Sequence, residues 1–295
     1  MEHSPVPPAP PALAIDAHKG DAGRLLCVCG SRTMPGAALL VVRAAQRAGA
    51  GLVTLAVLHE TLLQSLPAAS PETLYLDVTD LRALTAGKLP MLIDEHRHTA
   101  IVVGPGLGAN VAHRVLARLL VATPECPIVI DADALNAHAP LAEHATVGAP
   151  NSVWTPHPGE AQRLLGRPIG ADFEARRAAV LELAQATRGV CVLKGADTLV
   201  CAGERLYTNS TGNPGLATAG SGDVLAGIIG AYLIAFGDRP DAAFEAASAA
   251  VYVHGLAADL AVQELGPRGL IASDLIEHLP QAQREHAAQQ VEGAS

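Results

Sequence analysis

Short apolar runs alternate with longer amphipathic stretches along most of this chain. The runs at 25–30 (LLCVCG) and 51–57 (GLVTLAV) have the length of buried strands. Between them, 35–50 repeats its apolar positions with helical spacing and carries Pro35 where a first helical turn tolerates proline. Such an alternation predicts βαβ units, in which helices cover both faces of a mostly parallel sheet.

The same pattern continues almost to the end of the chain. We predict strands within 100–108, 127–136, 152–166 and 190–209, the last range holding a strand, a turn and a hairpin. We predict helices at the end of 152–166 and over 115–122, 172–187, 221–237, 242–265 and 272–283. Because no change in composition interrupts the interior, we expect one domain over 13–283, a flexible Pro-rich leader over 1–12 and a frayed polar tail over 284–295.

The composition excludes several classes of function. Apolar residues make up 49% of the chain and aromatic residues only 3%, so the core must be built from Ala, Val, Leu and Ile. A formal net charge of −9 argues against binding to a nucleic acid backbone. The sequence shows neither a membrane span nor a signal peptide, and its five cysteines are expected as buried thiols. We therefore expect a cytoplasmic protein without nucleic acid or membrane partners.

The most distinctive motif is TGNPGLATAGSGDVLAGIIGA at 211–231. Gly220 and Gly222 flank Ser221, and Asp223 follows at the start of an apolar helix. Glycines let a backbone approach a ligand closely, and the amides at a helix start bind anions. A carboxylate beside such an anion hole suits phosphoryl transfer. The simpler alternative is that Asp223 only caps the helix.

Four further motifs follow predicted strands: GPGLG (104–108), IDADALN (130–136), TPHPGEAQRLLG (155–166) and VLKGADTLV (192–200). Ligands bind at the carboxyl ends of the strands in this type of sheet. Asp131 and Asp133 form a pair of acids that suits Mg²⁺. Each motif also has a structural alternative: a capping role for Asp133, a solvent-facing Lys194, a loop position for His157 and a helix-dipole role for Glu160.

Together with GSRTMPGAALL and RAGAGLV near the amino terminus, these motifs in this order resemble the ADP- or ATP-dependent NAD(P)H-hydrate dehydratases of the ribokinase-like superfamily. The resemblance covers about 18–280. It implies an α/β fold, a ribokinase-like three-layer αβα sandwich with a mostly parallel central sheet. It also implies a carbon–oxygen lyase that returns the S epimer of hydrated NADH or NADPH to NADH or NADPH at the expense of a nucleotide phosphate bond.

The resemblance implies a role for each of several residues. Asp223 would be the catalytic base that contacts the hydroxyl of the hydrate. The substrate site would comprise Ala37, Gly106, His157 and Asp223. The nucleotide site would comprise Lys194, Gly195, Ala196, Asp197, Thr198, Asn213, Ala219, Gly220, Ser221 and Gly222. Mg²⁺ would accompany ADP or ATP, with Glu160 as its ligand through water or phosphate.

Some alternatives stay open at this point. The glycine turn reads TAGSGD where the family has GG(T/M)GD, so Ala219 and Ser221 are variants. A small-molecule kinase of the same superfamily, of the hydroxyethylthiazole kinase type, would share the glycine turn and Asp223. A catalytically silent nucleotide-binding protein is a second alternative. We expect no epimerisation of the R hydrate, a homo-oligomer (a tetramer or dimer), and ADP as the donor, although the residues do not separate ADP from ATP.

Overall fold

The computed structural model describes residues 3–80, 97–122, 126–143, 148–239 and 241–292. In this part of the chain the strands are β1 (Arg24–Val28), β2 (Leu52–Val57), β3 (Leu74–Asp77), β4 (Ala100–Val103), β5 (Ile128–Ile130), β6 (Ser152–Trp154), β7 (Val190–Leu193), β8 (Leu199–Ala202) and β9 (Arg205–Thr208). They form one sheet in the order β3-β2-β1-β4-β5-β6-β7-β8-β9. The first seven strands pair in parallel and the last two are antiparallel. The predicted mostly parallel sheet is confirmed.

The helices lie on both faces of this sheet. They are α1 (Pro35–Arg47), α2 (Glu60–Ser65), α3 (Val111–Ala122), α4 (Asp133–Ala137), α5 (Pro158–Leu165), α6 (Phe173–Thr187), α7 (Ser221–Phe236), α8 (Ala242–Gly269) and α9 (Ala272–Glu292). Helix α8 is broken at Gly266, whose φ is 67° and ψ is 162°. Short 3₁₀ turns occur at Leu141–Glu143 and Pro214–Leu216.

Alternation along β1 divides the core into two layers. Leu25 and Cys27 point into a cluster with apolar side chains of α1, α7, α8 and α9. Leu26 and Val28 point to the other face, against α3, α4, α5 and α6. Successive residues of a strand face opposite sides of a sheet, so one short apolar run supplies both layers. This arrangement is the predicted three-layer sandwich.

The loops after β1 and β4 meet where the strand order reverses. The Gly30 amide donates to the Pro105 carbonyl at 2.8 Å, and the Gly104 amide donates to the Val28 carbonyl at 3.2 Å. From β1 the chain builds outward through β2 to β3, then returns to place β4 on the other side of β1. Such a reversal opens a crevice above the carboxyl ends of the strands, where ligands bind.

The two ends of the chain differ from the predicted boundaries. Helix α9 continues to Glu292, beyond the predicted end at 283, because Ala282 and His286 are fully buried against the rest of the protein. His286 Nε2 lies 2.8 Å from the Pro7 carbonyl oxygen, and the Ser4 amide donates to the Thr208 carbonyl at 3.1 Å. The leader therefore contacts α9 and β9, while its flexibility and the fraying of the tail stay predictions. Residues 1–2 and 293–295 lie outside the described residues.

Two expectations drawn from composition concern the cysteines and the membrane. All five cysteines are buried free thiols, which confirms the expectation. Among the helices of the described ranges, none has the length and apolar character that crossing a membrane requires.

Candidate active site

A buried ion pair lies at the carboxyl ends of β5 and β7. Lys194 Nζ donates to Asp131 Oδ1 at 2.8 Å, and Thr155 Oγ1 donates to the same oxygen at 2.7 Å. Glu160 Oε2 lies 3.9 Å from Lys194 Nζ. The exposed fractions of the Lys194, Asp131 and Glu160 side chains are only 19%, 2% and 6%. The solvent-facing alternative for Lys194 is therefore wrong.

The first turn of α7 lies directly against this ion pair. A Cβ built on Gly222 would stand 3.3 Å from Lys194 Nζ and 4.0 Å from Asp131 Oδ2. The N-cap of α7 is Gly220, with φ of 87°, and glycine has no side chain that can cap a helix. Asp223 stands inside the first turn, so its proposed N-cap role is wrong. The amides of this turn and the Lys194 ammonium group are the donors that an anion would meet here.

Burial and neighbouring charges change the pKa values in this cluster. Burial, and then the charge of Asp131, raise the pKa of Asp223 to about 6, while Lys194 acts in the opposite direction. Burial also raises the pKa of Glu160, again opposed by Lys194. Burial alone would lower the pKa of Lys194, but Asp131 and Glu160 outweigh it, so that pKa is raised. One ammonium group thus faces three carboxyl groups, and Asp223 titrates near neutral pH.

His157 and Glu160 begin helix α5 through a capping box. His157 Nδ1 accepts hydrogen bonds from the Gly159 amide at 3.0 Å and the Glu160 amide at 3.3 Å. In return, Glu160 Oε2 accepts from the His157 amide at 2.8 Å. His157 is thus the N-cap of α5 rather than a loop residue, and Glu160 stands in the first turn, as the helix-dipole alternative expects. The predicted contacts of His157 with substrate and of Glu160 with metal stay predictions.

The acids near Lys194 suit a magnesium ion that is shared with phosphate. Within the described ranges, no group of three or more His, Cys, Asp or Glu side chains could hold a metal by itself. Mg²⁺ is commonly bound by one or two carboxylates together with water and substrate phosphates. The buried carboxylates of Asp131 and Glu160 match that donor set.

Asp133, the second acid of the predicted magnesium pair, is bonded to the loop after β4. The N-cap of α4 is Ala132, so the proposed capping role of Asp133 is wrong. Its Oδ2 instead accepts a hydrogen bond from the Gly108 amide at 2.7 Å. Asp133 thus fixes the glycine-rich loop after β4, and its pairing with Asp131 on a metal stays a prediction.

The structure brings two of the predicted substrate residues into contact. A Cβ on Gly106 would lie 2.7 Å from Ala37 Cβ and 3.1 Å from the Met34 carbonyl oxygen. One turn beyond Ala37 on α1, Leu40 lies against Gly220 of the glycine turn. Helix α1 therefore joins the glycine-rich loop after β4 to the turn that carries Asp223.

The predicted nucleotide segment 194–198 forms the turn between β7 and β8. Arg176 of α6 donates to the Ala196 carbonyl at 2.6 Å and to the Asp197 carbonyl at 3.2 Å. Thr198 Oγ1 donates to the Gly195 carbonyl at 2.9 Å. These hydrogen bonds fix the shape of the turn, and Arg176 is a contributor that the motifs do not reveal.

Helix α8 supports the other predicted nucleotide segment. Asp259 Oδ2 accepts from the Gly212 amide at 2.8 Å, and its Oδ1 accepts from Asn213 Nδ2 at 2.9 Å. His254 Nε2 lies 3.0 Å from the Ser221 carbonyl oxygen, and Ala219 is exposed just before Gly220. The sequence pattern of α8 predicts only a buried helix. The available signal was a His and an Asp within an otherwise Ala-rich helix.

This chain is similar to proteins of a known family. A family profile described as NAD(P)H-hydrate dehydratase matches residues 25–281. The ADP-dependent (S)-NAD(P)H-hydrate dehydratase of Neisseria meningitidis serogroup B is 40% identical over 90% of this chain and 86% of its own length. The bifunctional NAD(P)H-hydrate repair enzyme of Thermofilum pendens is 39% identical over 95% of this chain and 52% of its own length. The chain thus spans about half the length of that relative and of other bifunctional relatives.

A solved structure of a dehydratase is also similar to this chain. The ADP/ATP-dependent NAD(P)H-hydrate dehydratase of Bacillus subtilis, co-crystallised with ATP/Mg²⁺, superposes with a TM-score of 0.81 at 30% identity. The superposition covers 94% of this chain and 95% of that chain. The predicted ribokinase-like three-layer fold is confirmed by this likeness.

Proposed function

The chain belongs to the NAD(P)H-hydrate dehydratase family, and from this premise we propose that it returns the S epimer of hydrated NADH or NADPH to the reduced dinucleotide, with ADP or ATP as phosphoryl donor. One observation carries the proposal for the site. The first turn of α7, which holds Asp223, lies against the buried pair of Lys194 and Asp131. A base, an amide anion hole and a fixed cation then face one point, as phosphoryl transfer requires.

In the proposed first step, the Asp223 carboxylate accepts the proton of the ring hydroxyl. The hydroxyl oxygen forms a bond to the terminal phosphorus as the bond from phosphorus to the donor nucleotide breaks. The amides of the 220–223 turn and Lys194 hold the charge on the transferring phosphate. In the second step the phosphate leaves with the C–O bonding pair, assisted by the lone pair of the ring nitrogen. Loss of a proton from the adjacent ring carbon restores the double bond.

Magnesium has a defined place in this proposal. Glu160 or Asp131 would hold it through water, and the nucleotide phosphates would supply further oxygen ligands. When bound, Mg²⁺ supplies positive charge to the phosphates. The raised pKa of Glu160, caused by burial and by the neighbouring Asp131, marks a place where additional positive charge is favourable.

The repair assay is the direct test. Hydrated NADH or NADPH is incubated with the protein, Mg²⁺ and either ADP or ATP, and the absorbance of the reduced nicotinamide is followed. We expect nucleotide-dependent recovery for the S epimer, with ADP as the better donor, as the name of the Neisseria relative suggests. The R epimer alone serves as the control and should not recover.

The kinase alternative has less support. The family profile and the Neisseria relative both carry dehydratase names. A kinase would consume nucleotide and accumulate a stable phosphorylated product with no recovery of absorbance. A chain that binds nucleotide but catalyses neither reaction would support the silent alternative.

Turnover should depend on pH through Asp223. The base acts only when it is ionised, and its pKa is raised to about 6 by burial and by Asp131. We expect kcat/KM to fall about tenfold per pH unit below that pKa and to level off above it, because kcat/KM reports the ionisation of the free enzyme. The pH profile of kcat/KM measures this. The residual activity of the Asp223→Asn variant should lack this acidic limb, and a flat wild-type profile between pH 5 and 8 would contradict the role of Asp223.

A further inference from the structure

We propose that Asp259 of α8 is a positioning residue that sets the affinity for the nucleotide. It does so by holding the loop at 211–215, which precedes the glycine turn. The inference rests on the proposed function and on the nucleotide role of Asn213 that the family resemblance implies. Asp259 would act through Gly212 and Asn213, without touching the nucleotide or the reacting atoms. It lies on a helix far along the chain from the loop, with a sequence separation of 47 residues to Gly212.

Both carboxylate oxygens of Asp259 are used by the loop. Oδ2 accepts from the Gly212 amide at 2.8 Å and Oδ1 accepts from Asn213 Nδ2 at 2.9 Å. On its other side, Asn213 Oδ1 accepts from the Gly215 amide at 2.9 Å. The Asn213 amide group therefore has one orientation, because a flip would turn its NH₂ towards the Gly215 N–H and its oxygen towards the carboxylate.

The loop lies directly on the backbone of α8. One turn before Asp259, a Cβ at Gly255 would overlap Thr211, so only glycine permits this approach. Thr211 Oγ1 donates to the Tyr252 carbonyl at 2.8 Å. Tyr252, Gly255 and Asp259 thus form one face of α8 on which the loop is built. Gly212 is exposed, so a ligand can approach the loop there.

The chemistry of the contact explains why a carboxylate is needed. Two donors converge on residue 259, and a carboxylate offers two acceptors where an amide offers one. In an Asp259→Asn variant, an NH₂ group would face either the Gly212 N–H or the Asn213 NH₂. The loop would then move to relieve this, while the glycine turn stays attached through the contact between His254 and Ser221.

The test compares Asp259→Asn with Glu264→Gln in the full chain. Glu264 is a matched control because it is an acid on the same helix with 74% of its side chain exposed. We expect the ADP dissociation constant, measured by calorimetry, and the KM for ADP to rise about tenfold in Asp259→Asn, as expected for one lost charge-assisted hydrogen bond. The kcat and the KM for the hydrate should change less than about twofold, and Glu264→Gln should match the wild type.

A double variant, N213D/D259N, serves as a second check. It exchanges the two groups, so the introduced amide can accept from Gly212 and donate to the introduced carboxylate, which still accepts from Gly215. We expect the ADP affinity to recover at least partly. An unchanged ADP dissociation constant in Asp259→Asn would overturn the inference. So would parallel losses of kcat, hydrate binding and melting temperature, because these indicate a purely structural role.

Failure of the proposed function can be distinguished from failure of this inference. A wild-type chain that binds ADP but repairs no hydrate would contradict the proposed function alone, and the ADP affinity of Asp259→Asn would still decide this inference. A wild-type chain that binds neither ADP nor ATP would overturn both.

Discussion

Replacing Asp223 by Asn is expected to lower turnover by about 10²–10⁴-fold, the usual contribution of a general base. Asparagine has the same shape but does not accept the proton of the hydroxyl. The ADP dissociation constant should stay within about threefold of the wild type, because the amides of the α7 start and Lys194 remain in place. Single-turnover repair of the hydrate, together with calorimetric titration of ADP, measures the two effects separately.

The same variant should be more stable than the wild type above pH 6. The folded-state pKa of Asp223 is raised from its ordinary 3.8 to about 6, so its contribution to stability is complete below pH 3.8 and is lost as the pH rises through about 6. An amide carries no charge and avoids this loss. We expect the free energy of unfolding to rise by up to about 3 kcal/mol at pH 8 and to be nearly unchanged below pH 4. Urea denaturation at the two pH values measures the difference.

Asp238→Asn is the matched control for both measurements. Asp238 is an exposed aspartate just past the carboxyl end of the same helix, so neither turnover nor stability should change. If Asp223→Asn keeps turnover within about threefold of the wild type, the role of Asp223 as base is wrong. If its stability does not increase at pH 8, the raised pKa of Asp223 is wrong.

Replacing Lys194 by Met is expected to have the second large effect. It removes the only ammonium group that the structure places beside Asp131 and Glu160 in the described part of the chain, and it leaves both carboxylates buried. We expect the free energy of unfolding to fall by about 3–5 kcal/mol at pH 8. Turnover should fall by about 10²–10³-fold through lost stabilisation of the transferring phosphate. Urea denaturation and the repair assay measure these changes.

Further variants separate stability from catalysis at Lys194. Lys19→Met is the matched control, since Lys19 is exposed and should be replaceable without effect. In the double variant of Lys194→Met with Asp131→Asn, one buried charge is removed, so stability should partly return while turnover stays low. A Lys194→Met variant with normal turnover would exclude Lys194 from phosphoryl transfer. Undiminished stability would show that the carboxylates do not depend on the ammonium group.

Much of the fold could be predicted because its signals are local. The strands β1, β2 and β4 to β9 and the helices α1, α7 and α8 follow from periodicity and from proline and glycine positions. Helix α2 (Glu60–Ser65) and strand β3 (Leu74–Asp77) were not predicted, because six and four residues are too few to show a period. The end of α9 was wrong because burial of His286 against distant elements extends the helix, and the local polar composition does not show this.

The candidate site, too, could be predicted from the sequence only in part. Gly222, Lys194 and Asp131 could be placed near one another because the carboxyl ends of parallel strands meet at one edge of the sheet. Which side chains make direct contact could not be predicted. Asp131 and Lys194 are separated by 63 residues, and Asp259 reaches a loop 47 residues away. The capping roles of Asp223 and Asp133 were wrong because each helix begins earlier, at the N-caps Gly220 and Ala132.

The sequence by itself determined the alternation of strands and helices, the three-layer class and the position of each motif after its strand. These properties depend on side-chain period and on backbone preferences, which act over a few residues. Only the tertiary structure decided which charges meet, which are buried and which loops a helix holds. A buried carboxyl or ammonium group takes its pKa from neighbours brought together by folding, and so the near-neutral titration of Asp223 and the enclosed charge of Lys194 appear only in the folded chain.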